Sequence, residues 1–456
     1  MKELLTETAA RAMRYIAEIT KRRVAPRPEE LASLDALAGP LPDEGCDPST
    51  LIALLDDAGS PATVATTGGR YFGFVTGGTL PAALAANWLA GAWDQNAALK
   101  AMSPVGAKIE EIASSWLCDV LGLPESCGVG FVTGATMANF TALAAARHAI
   151  LARAGWDVED RGLFGAPEIK VVVGGEVHAA LLKALSMIGF GRTRVVTVPA
   201  DDQGRMRTDS LPAVDDRTLI CMQAGNVNSG AFDPATEICA HAHRSGAWVH
   251  VDGAFGMWAA VAPARRHLVT GVDQADSWAT DCHKWLNVPF DSGLAIVREP
   301  ENLRAAMAVR AAYLQIADSR EPSHHTPEAS RRARGIEVWA ALRSLGRTGL
   351  ADMIERNCAL ATRFAEGLRR AGFTILNDVA LNQVLVSFGD AENTRRVIRD
   401  VQNEGTCWCG GTEWHGHVAM RISVSSWATT EADVDASLAA MIRIAGSGKP
   451  SRAECI

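Results

Sequence analysis

The stretch WVHVD at residues 248–252, followed by DSWATDCHKW at residues 276–285, decides how this chain is expected to fold. The first stretch is a short apolar run that ends in a carboxylate, Asp252, directly before Gly253. Such a run is typical of a buried strand in a parallel sheet. The second stretch contains Lys284, 32 positions after Asp252, in largely apolar surroundings. Because ligands collect beyond the carboxyl ends of parallel strands, we expect a functional site here.

Short β-branched runs alternate with helical stretches from about residue 71 to residue 310. GVGFVTG precedes the helical stretch MANFTALAAARHAILARAG, and IKVVVGG precedes HAALLKALSMIGF. This alternation predicts an α/β fold with a large, mostly parallel sheet covered by helices.

The remaining chain divides by pattern into three further parts. Residues 1–70 form an N-terminal helical segment, residues 311–335 a polar, proline-broken loop, and residues 336–456 a smaller C-terminal α+β domain, while residues 71–310 form the large domain. Long loops in compact domains are often functional.

The composition predicts an ordinary soluble globular protein. The chain has 48% hydrophobic and 21% charged residues and a net charge of −8 without a basic cluster, which disfavours nucleic acid as a partner. No apolar run is long enough to span a membrane. Ten cysteines without a CxxC pair favour a reducing compartment, the cytoplasm. Cys407 and Cys409 fit a packed strand edge better than a metal site, so we expect no metal.

Two stretches supply candidates for contacts with a flat, phosphorylated cofactor. In VTGATMANF a strand, a turn and a helix start follow one another, so Gly134, Ala135 and Thr136 could present backbone N–H groups to a phosphate. An ordinary strand-to-helix turn is the alternative. His178 follows the run VVVGG where a helix begins, and its imidazole could stack on a cofactor ring or simply cap the helix.

Asp252 and Lys284 supply the two groups that an enzyme needs to hold pyridoxal phosphate. A buried carboxylate requires a cationic partner, and a protonated pyridine nitrogen is such a partner. A desolvated lysine can form a Schiff base with the cofactor aldehyde. The alternatives are a helix-capping aspartate and a surface lysine, although the neighbours of Lys284, which include Trp285, are largely apolar.

Taken in order, these motifs resemble the group II pyridoxal-phosphate-dependent amino acid decarboxylases, such as the glutamate and aromatic amino acid decarboxylases. The resemblance extends from about residue 70 to about residue 440. The motifs that carry it are RYFGF, SPVGAKIEE, the turn at 134–136, VHAALLKAL, GAFDP, HVDGAFG, DCHKW, RRARGIEVWAALRSLGR and MRISVSSWATTEADVD. It implies a fold-type I enzyme that is a homodimer with pyridoxal 5'-phosphate as cofactor.

The resemblance also implies roles for individual residues. Lys284 would carry the Schiff base, His178 would stack on the ring, and His283 would help to bind phosphate. Tyr313, on the predicted loop, matches the tyrosine that returns a proton to the substrate carbon. Arg421, in MRISVSS, matches an arginine that binds the substrate α-carboxylate in glutamate decarboxylases.

The chain departs from the family pattern at two places. Where many relatives have GTT, this chain has GNVNS at residues 225–229, so Asn226 or Asn228 would replace a threonine contact to the cofactor. Phe74 stands where animal glutamate decarboxylases have a glutamine, which favours a less acidic substrate. Together with Thr76 and Asn96, Phe74 is a candidate for substrate binding.

The resemblance predicts decarboxylation of an L-amino acid to its amine and CO2. Two alternatives remain open at this point, namely a pyridoxal-phosphate-dependent aminotransferase and a cofactor-binding protein with little activity. Tyr313 argues against the aminotransferase, since reprotonation of the substrate carbon by a tyrosine suits decarboxylation. The expected partners are an amino acid substrate and a second copy of the chain, which the N-terminal helical segment would contact.

Overall fold

The computed structural model describes residues 1–308 and 320–447, and these divide into two compact units. The first unit contains residues 1–78, 360–376 and 384 onward. The second contains residues 79–359 and 377–383. The domain boundaries at residues 70, 310 and 335 stay a prediction, and residues 309–319 of the predicted loop lie outside the described residues.

The first unit begins with three helices that expose much of their apolar surface. They are α1 (Lys2–Glu18), α2 (Pro28–Ala32) and α3 (Pro48–Ala62). Helix α3 begins where it does because the Asp47 side chain accepts a hydrogen bond from the Thr50 N–H at 3.0 Å, and Pro48 occupies the first helical position. Helix α1 contains no buried residue.

The second unit contains seven strands of one sheet and the helices around them, within the described residues. In chain order they are α4 (Pro81–Trp93), α5 (Pro104–Val120), β1 (Gly128–Val132), α6 (Ala135–Arg153), α7 (Val158–Arg161), β2 (Lys170–Gly174), α8 (Ala179–Met187), β3 (Val195–Val198), β4 (Thr218–Gln223), α9 (Ala235–His243), β5 (Trp248–Asp252), β6 (Ser277–Asp281), β7 (Gly293–Val297) and α10 (Pro300–Met307).

The strand order places β5 and β6 side by side in the middle of the sheet. The order is β1-β7-β6-β5-β4-β2-β3, in which β2 to β6 are parallel and β7 is antiparallel to both β1 and β6. The carboxyl ends of β5 and β6 therefore meet at one edge. The predicted fold class, a large and mostly parallel sheet covered by helices, is confirmed.

Helix α6 packs closely on this sheet because its buried face consists largely of alanine. The alanines that belong to its core with the sheet are Ala138, Ala142, Ala145, Ala146 and Ala149. Small side chains let helix and sheet backbones approach closely. At the start of the helix the approach is so close that a Cβ atom on Gly293 of β7 would lie 2.5 Å from the Cα atom of Gly134.

The C-terminal part of the chain follows a long helix. Helix α11 (Gly335–Arg370) is interrupted at Gly346, whose φ of +60° suits glycine. After it come β8 (Thr374–Ile375), β9 (Gln383–Ser387), α12 (Ala391–Glu404), β10 (Gly410–Trp414), β11 (His417–Ser423) and α13 (Glu431–Gly446). Within the described part, the four strands form a second sheet in the order β10-β11-β9-β8. This small sheet with its helices agrees with the predicted C-terminal α+β character.

No helix in residues 1–308 or 320–447 has both the length and the apolar character that crossing a membrane requires.

A buried ion pair holds the segment that precedes α11. Glu110 on α5 accepts two hydrogen bonds from the guanidinium group of Arg331, at 2.6 and 2.9 Å, and both side chains are almost completely buried. The Arg320 guanidinium lies 3.6 Å from the same carboxylate and donates to the backbone oxygen of Val129 in β1. One carboxylate therefore fastens both ends of residues 320–331 to the second unit.

We expect Glu110→Gln to lower the free energy of unfolding by about 3 kcal/mol, because it leaves the charge of Arg331 buried without its partner. Urea denaturation of the purified protein measures this change. The control is Glu111→Gln, since Glu111 pairs with Lys108 at the exposed surface and its loss should cost less than about 1 kcal/mol. Equal effects of the two substitutions would contradict the prediction.

Candidate active site

Lys284 follows β6 and forms an ion pair with a carboxylate at the end of that strand. Its Nζ atom lies 3.0 Å from Oδ2 of Asp281. The Lys284 side chain is 20% exposed, whereas the Asp281 side chain is 2% exposed. The lysine is thus partly shielded from water yet still accessible to a small molecule.

Asp281 connects Lys284 with two further parts of the site. Its Oδ1 atom accepts a hydrogen bond from the backbone N–H of Ala135, in the first turn of α6, at 2.5 Å. The same oxygen lies 3.6 Å from Nε2 of His283. The sequence analysis missed Asp281. The signal was available, because Asp281 ends an apolar strand three positions before Lys284, as Asp252 ends the strand before it.

His283 is held in place by its neighbours. Its ring lies against Phe290, with 4.3 Å between ring centroids, and its Nδ1 atom accepts a hydrogen bond from the Ser292 N–H at 3.2 Å. Burial lowers the pKa of His283 and outweighs the opposite effect of Asp281. The imidazole is therefore a neutral group beside the start of α6.

The start of α6 offers the setting that an anion needs, since backbone N–H groups and the helix dipole point outward there. A Cβ atom on Gly134 would lie 2.9 Å from Cε1 of His283, so only glycine fits between the helix and this ring. Thr136 is half-buried in the same turn. The structure brings Gly134, Ala135 and His283 together, and their contact with phosphate stays a prediction.

Asp252 is buried at the end of β5, the strand next to β6. Its carboxylate accepts hydrogen bonds from two neutral donors, the side-chain amide of Asn139 and the backbone N–H of Ala254, both at 3.3 Å. Burial raises the pKa of Asp252, and the nearby charges of His178 and Lys284 oppose this shift. A further cation at its open side would stabilise the ionised form.

His178 caps helix α8, as one of the alternatives anticipated. Its Nδ1 atom accepts a hydrogen bond from the Ala180 N–H at 3.2 Å. Its side chain is exposed and close enough to Asp252 to lower the pKa of that carboxyl. Capping fixes the position of the ring, and the stacking of His178 on a cofactor ring stays a prediction.

Asn226 uses its side-chain oxygen to build the turn that follows β4. This oxygen accepts hydrogen bonds from the N–H groups of Asn228 and Ser229, at 2.8 and 3.2 Å. The turn is next to the site, since the N–H of Ala224 donates to the backbone oxygen of Asp252. Only the amide NH2 group of Asn226 is left for a ligand. The cofactor contacts of Asn226 and Asn228 stay predictions.

Three of the predicted substrate-binding residues belong to the first unit. Phe74 is exposed, has a φ of +53° and lies 5.4 Å from the ring of Trp408. The N–H of Thr76 donates to the backbone oxygen of Gly73. Arg421 is on β11, and burial lowers its pKa. The left-handed backbone at Phe74 is rare for a bulky residue and is found mostly at functional sites.

The two remaining candidates are Asn96 and Tyr313. In the second unit, the Asn96 side-chain oxygen accepts hydrogen bonds from the N–H groups of Ala98 and Arg331, at 3.1 and 3.2 Å. The Asn96 side chain therefore helps to anchor residues 320–331. Tyr313 lies outside the described residues.

The second unit fits pyridoxal phosphate on chemical grounds. Lys284 supplies an amine for the aldehyde, the start of α6 supplies N–H groups for a phosphate, and Asp252 supplies a buried carboxylate with neutral hydrogen-bond donors. A pyridinium nitrogen would complete the surroundings of Asp252.

Comparison with known families decides the identity of the site. The pyridoxal-dependent decarboxylase conserved domain matches residues 62–389. This chain belongs to the pyridoxal-dependent decarboxylase family. The predicted family and cofactor, pyridoxal 5'-phosphate, are thereby confirmed, and so is the prediction of an enzyme of the decarboxylase class.

Curated decarboxylases are similar to this family member over most of its length. Acidic amino acid decarboxylase GADL1 of Mus musculus is 28% identical over 76% of this chain, which spans 65% of that protein. Tryptophan decarboxylase 1 of Oryza sativa subsp. japonica is 28% identical over 78% of this chain and 76% of its own length. Aromatic-L-amino-acid decarboxylase of Bacillus atrophaeus is 24% identical over 86% and 84%.

Solved structures of decarboxylases share the fold. Oryza sativa TDC with PLP and tryptamine superposes with a TM-score of 0.89 at 22% identity, covering 98% of this chain and 97% of its own. Mouse CSAD also gives a TM-score of 0.89, at 23% identity, with coverage of 97% and 98%. The predicted fold-type I architecture is confirmed.

We expect Gly134→Ala to weaken binding of pyridoxal phosphate by at least about tenfold, roughly the loss of one good hydrogen bond, because the new methyl group displaces His283 or the start of α6. Absorbance titration of the cofactor-free protein measures the affinity. Gly91→Ala is the matched control, since a methyl group on Gly91 in α4 meets nothing within 4 Å. Unchanged affinity in Gly134→Ala would contradict the proposed packing.

Proposed function

We propose that this enzyme decarboxylates an L-amino acid to the corresponding amine and CO2. The observation that carries the proposal is the pairing of Lys284 with Asp281 beside the buried Asp252, in a chain whose residues 62–389 match a decarboxylase domain. The names of the three relatives compared above, all decarboxylases, support this reaction over transamination.

The second unit supplies groups for holding and orienting the cofactor. Lys284 would bind the aldehyde carbon covalently, and Gly134, Ala135 and Thr136 would bind the phosphate at the start of α6. When bound, pyridoxal phosphate supplies a cationic ring that accepts the electron pair left on the substrate carbon. Asp252 would hold the ring nitrogen protonated, since each charge stabilises the other in this buried place.

The Asp281 carboxylate would act as the counter-ion of the Lys284 side chain. Its carboxylate lies 3.0 Å from Nζ of Lys284, so it stabilises the ammonium form whenever the amine is released. The N–H of Ala135 stabilises the Asp281 carboxylate in turn. The resemblance implies that Tyr313 delivers the proton that replaces the carboxylate, and we assign that role to it.

We further propose a substrate with an uncharged side chain. In the first unit Phe74 is exposed beside Trp408, and Tyr71 stacks on Trp408 with 5.2 Å between ring centroids. This aromatic cluster favours an apolar side chain over a carboxylate. Arg421, which stays a predicted ligand of the α-carboxylate, would then bind a group that all amino acids share.

We expect the purified enzyme to release CO2 and amine in equal amounts from an aromatic or aliphatic amino acid, and to act more slowly on glutamate or aspartate. A screen of the twenty amino acids that follows CO2 and amine together measures this. Lys284→Ala should reduce both products to background, and Tyr313→Phe should lower the ratio of amine to CO2. Turnover that requires an added keto acid would instead identify an aminotransferase.

We propose that the enzyme is a homodimer through its N-terminal helices. Helix α1 buries no residue although it is 17 residues long, and helices in proteins gain most of their stability from packing an apolar face. Helix α3 exposes Leu51, Leu54 and Leu55. Exposed apolar patches of this kind mark association surfaces, and the second copy predicted by the resemblance would cover them.

Sedimentation should therefore show twice the mass of one chain. Replacing Leu51 and Leu55, one helical turn apart, with glutamate should shift the population toward monomer, because burying the new charges in an interface is costly. Phe164→Glu is the control, since Phe164 is 98% exposed and lies in the second unit. An active wild-type monomer would contradict the proposal.

We also propose a cytoplasmic location. None of the nine cysteines within the described residues forms a disulfide, which suits a reducing compartment.

A further inference from the structure

A chain of buried, hydrogen-bonded side chains leads from Asp252 to Trp248. Asn139 Nδ2 donates to Asp252 at 3.3 Å, and His250 Nε2 lies 2.7 Å from Asn139 Oδ1. His250 Nδ1 lies 2.9 Å from the hydroxyl of Ser277, and Trp248 Nε1 donates to that hydroxyl at 2.9 Å. All five side chains are buried, with residue exposures of 6% or less. Four consecutive contacts thus join Trp248 to Asp252.

The chemistry of these groups favours one direction for the hydrogen bonds of this chain. The indole nitrogen of Trp248 can only donate, so the Ser277 oxygen accepts there and its own proton is free to go to His250. Burial lowers the pKa of His250 to about 3, so the ring is neutral and carries one proton. Since Nδ1 accepts from Ser277, the proton is on Nε2 and goes to the oxygen of Asn139. The NH2 group of Asn139 then faces Asp252.

The opposite direction is less favourable. A protonated Asp252 would donate to Asn139, whose amide would turn and donate to His250, and His250 would then donate to Ser277. The Ser277 oxygen would accept from both His250 and Trp248, and its own proton would lose His250 as an acceptor. In a buried network each unsatisfied polar group is costly. The indole N–H at the far end therefore selects the direction that presents a donor to Asp252.

We propose that Trp248, Ser277, His250 and Asn139 form a one-way hydrogen-bond chain that keeps Asp252 ionised toward the ring nitrogen of the cofactor. We treat all four as positioning residues, since they would act on the cofactor through Asp252. The inference rests on the assignment of pyridoxal phosphate to this site. It extends that assignment by naming what sets the charge of the carboxylate that would face the ring.

The sequence shows why these residues can act together. Trp248, His250 and Asp252 alternate along β5, so their side chains point to one face of the sheet. His250 is paired in register with Ser277 on β6, and α6 covers that face with Asn139. Two strands and one helix therefore align the chain without any loop.

The experiment compares two probes, pyridoxal phosphate and 1-deazapyridoxal phosphate, in which a carbon replaces the ring nitrogen. Dissociation constants are measured by absorbance titration of cofactor-free protein. In His250→Leu we expect the affinity for pyridoxal phosphate to fall about tenfold, as expected for a lost buried hydrogen-bond partner, while the affinity for the deaza analogue stays the same. His250→Gln can both donate and accept, and should restore most of the affinity.

Two further variants keep the test decisive. Trp248→Phe keeps an aromatic ring and removes only the N–H, so it should weaken pyridoxal phosphate binding by a smaller factor, about threefold, if the direction of the chain matters. If the His250→Leu protein does not fold, Trp248→Phe still provides the test. His241→Leu is the control, because His241 bonds to the backbone of Pro212 and should change neither affinity.

Equal loss of both probes would overturn the proposal, since it would show a general structural role. Unchanged affinity for pyridoxal phosphate in all chain variants would overturn it as well. A wild-type protein that binds neither probe would instead contradict the cofactor assignment, and one that binds both equally would contradict the pairing of Asp252 with the ring nitrogen.

Discussion

Two buried carboxylates at the ends of neighbouring parallel strands are the constraint on which this site depends. The negative charge of Asp281 adds to the cost of ionising Asp252, since the two carboxylates are close together in a region of low dielectric constant. The protein places favourable partners around Asp281, with Lys284 beside its Oδ2 atom and the N–H of Ala135, at the start of α6, donating to its Oδ1 atom. Asp252 has weaker neutral donors and is thus the carboxylate that gains most from a cationic ligand.

Close backbone packing makes this balance of charges possible. The alanines of α6 let the helix approach the sheet, which places the Ala135 N–H against Asp281 and the Asn139 amide against Asp252. Gly134 and Gly293 have the same effect where helix and strand backbones meet. The packing of small residues in the core and the chemistry at the strand ends are therefore parts of one arrangement.

Strand ends are the part of this site that sequence can predict. Asp252 is predictable because it ends an apolar strand, and Asp281 satisfies the same rule three positions before Lys284. The contact between Asn139 and His250 joins residues 111 positions apart, and depends on which face of the sheet α6 covers. The local pattern of apolar and polar residues does not show which face α6 covers. Phe74 illustrates a second limit, because its left-handed backbone follows from tertiary packing and not from its own preference.

The position of Trp248 at the beginning of β5 has a consequence for how this enzyme can change over time. Four residue steps of extended strand separate its backbone from that of Asp252, a distance of about 13 Å. Substitutions at the beginning of the strand could thus adjust the electron demand of the cofactor without altering the shape of the substrate pocket. Reactivity and selectivity would then be separately adjustable, and a descendant enzyme could acquire a new substrate while its cofactor chemistry stays the same.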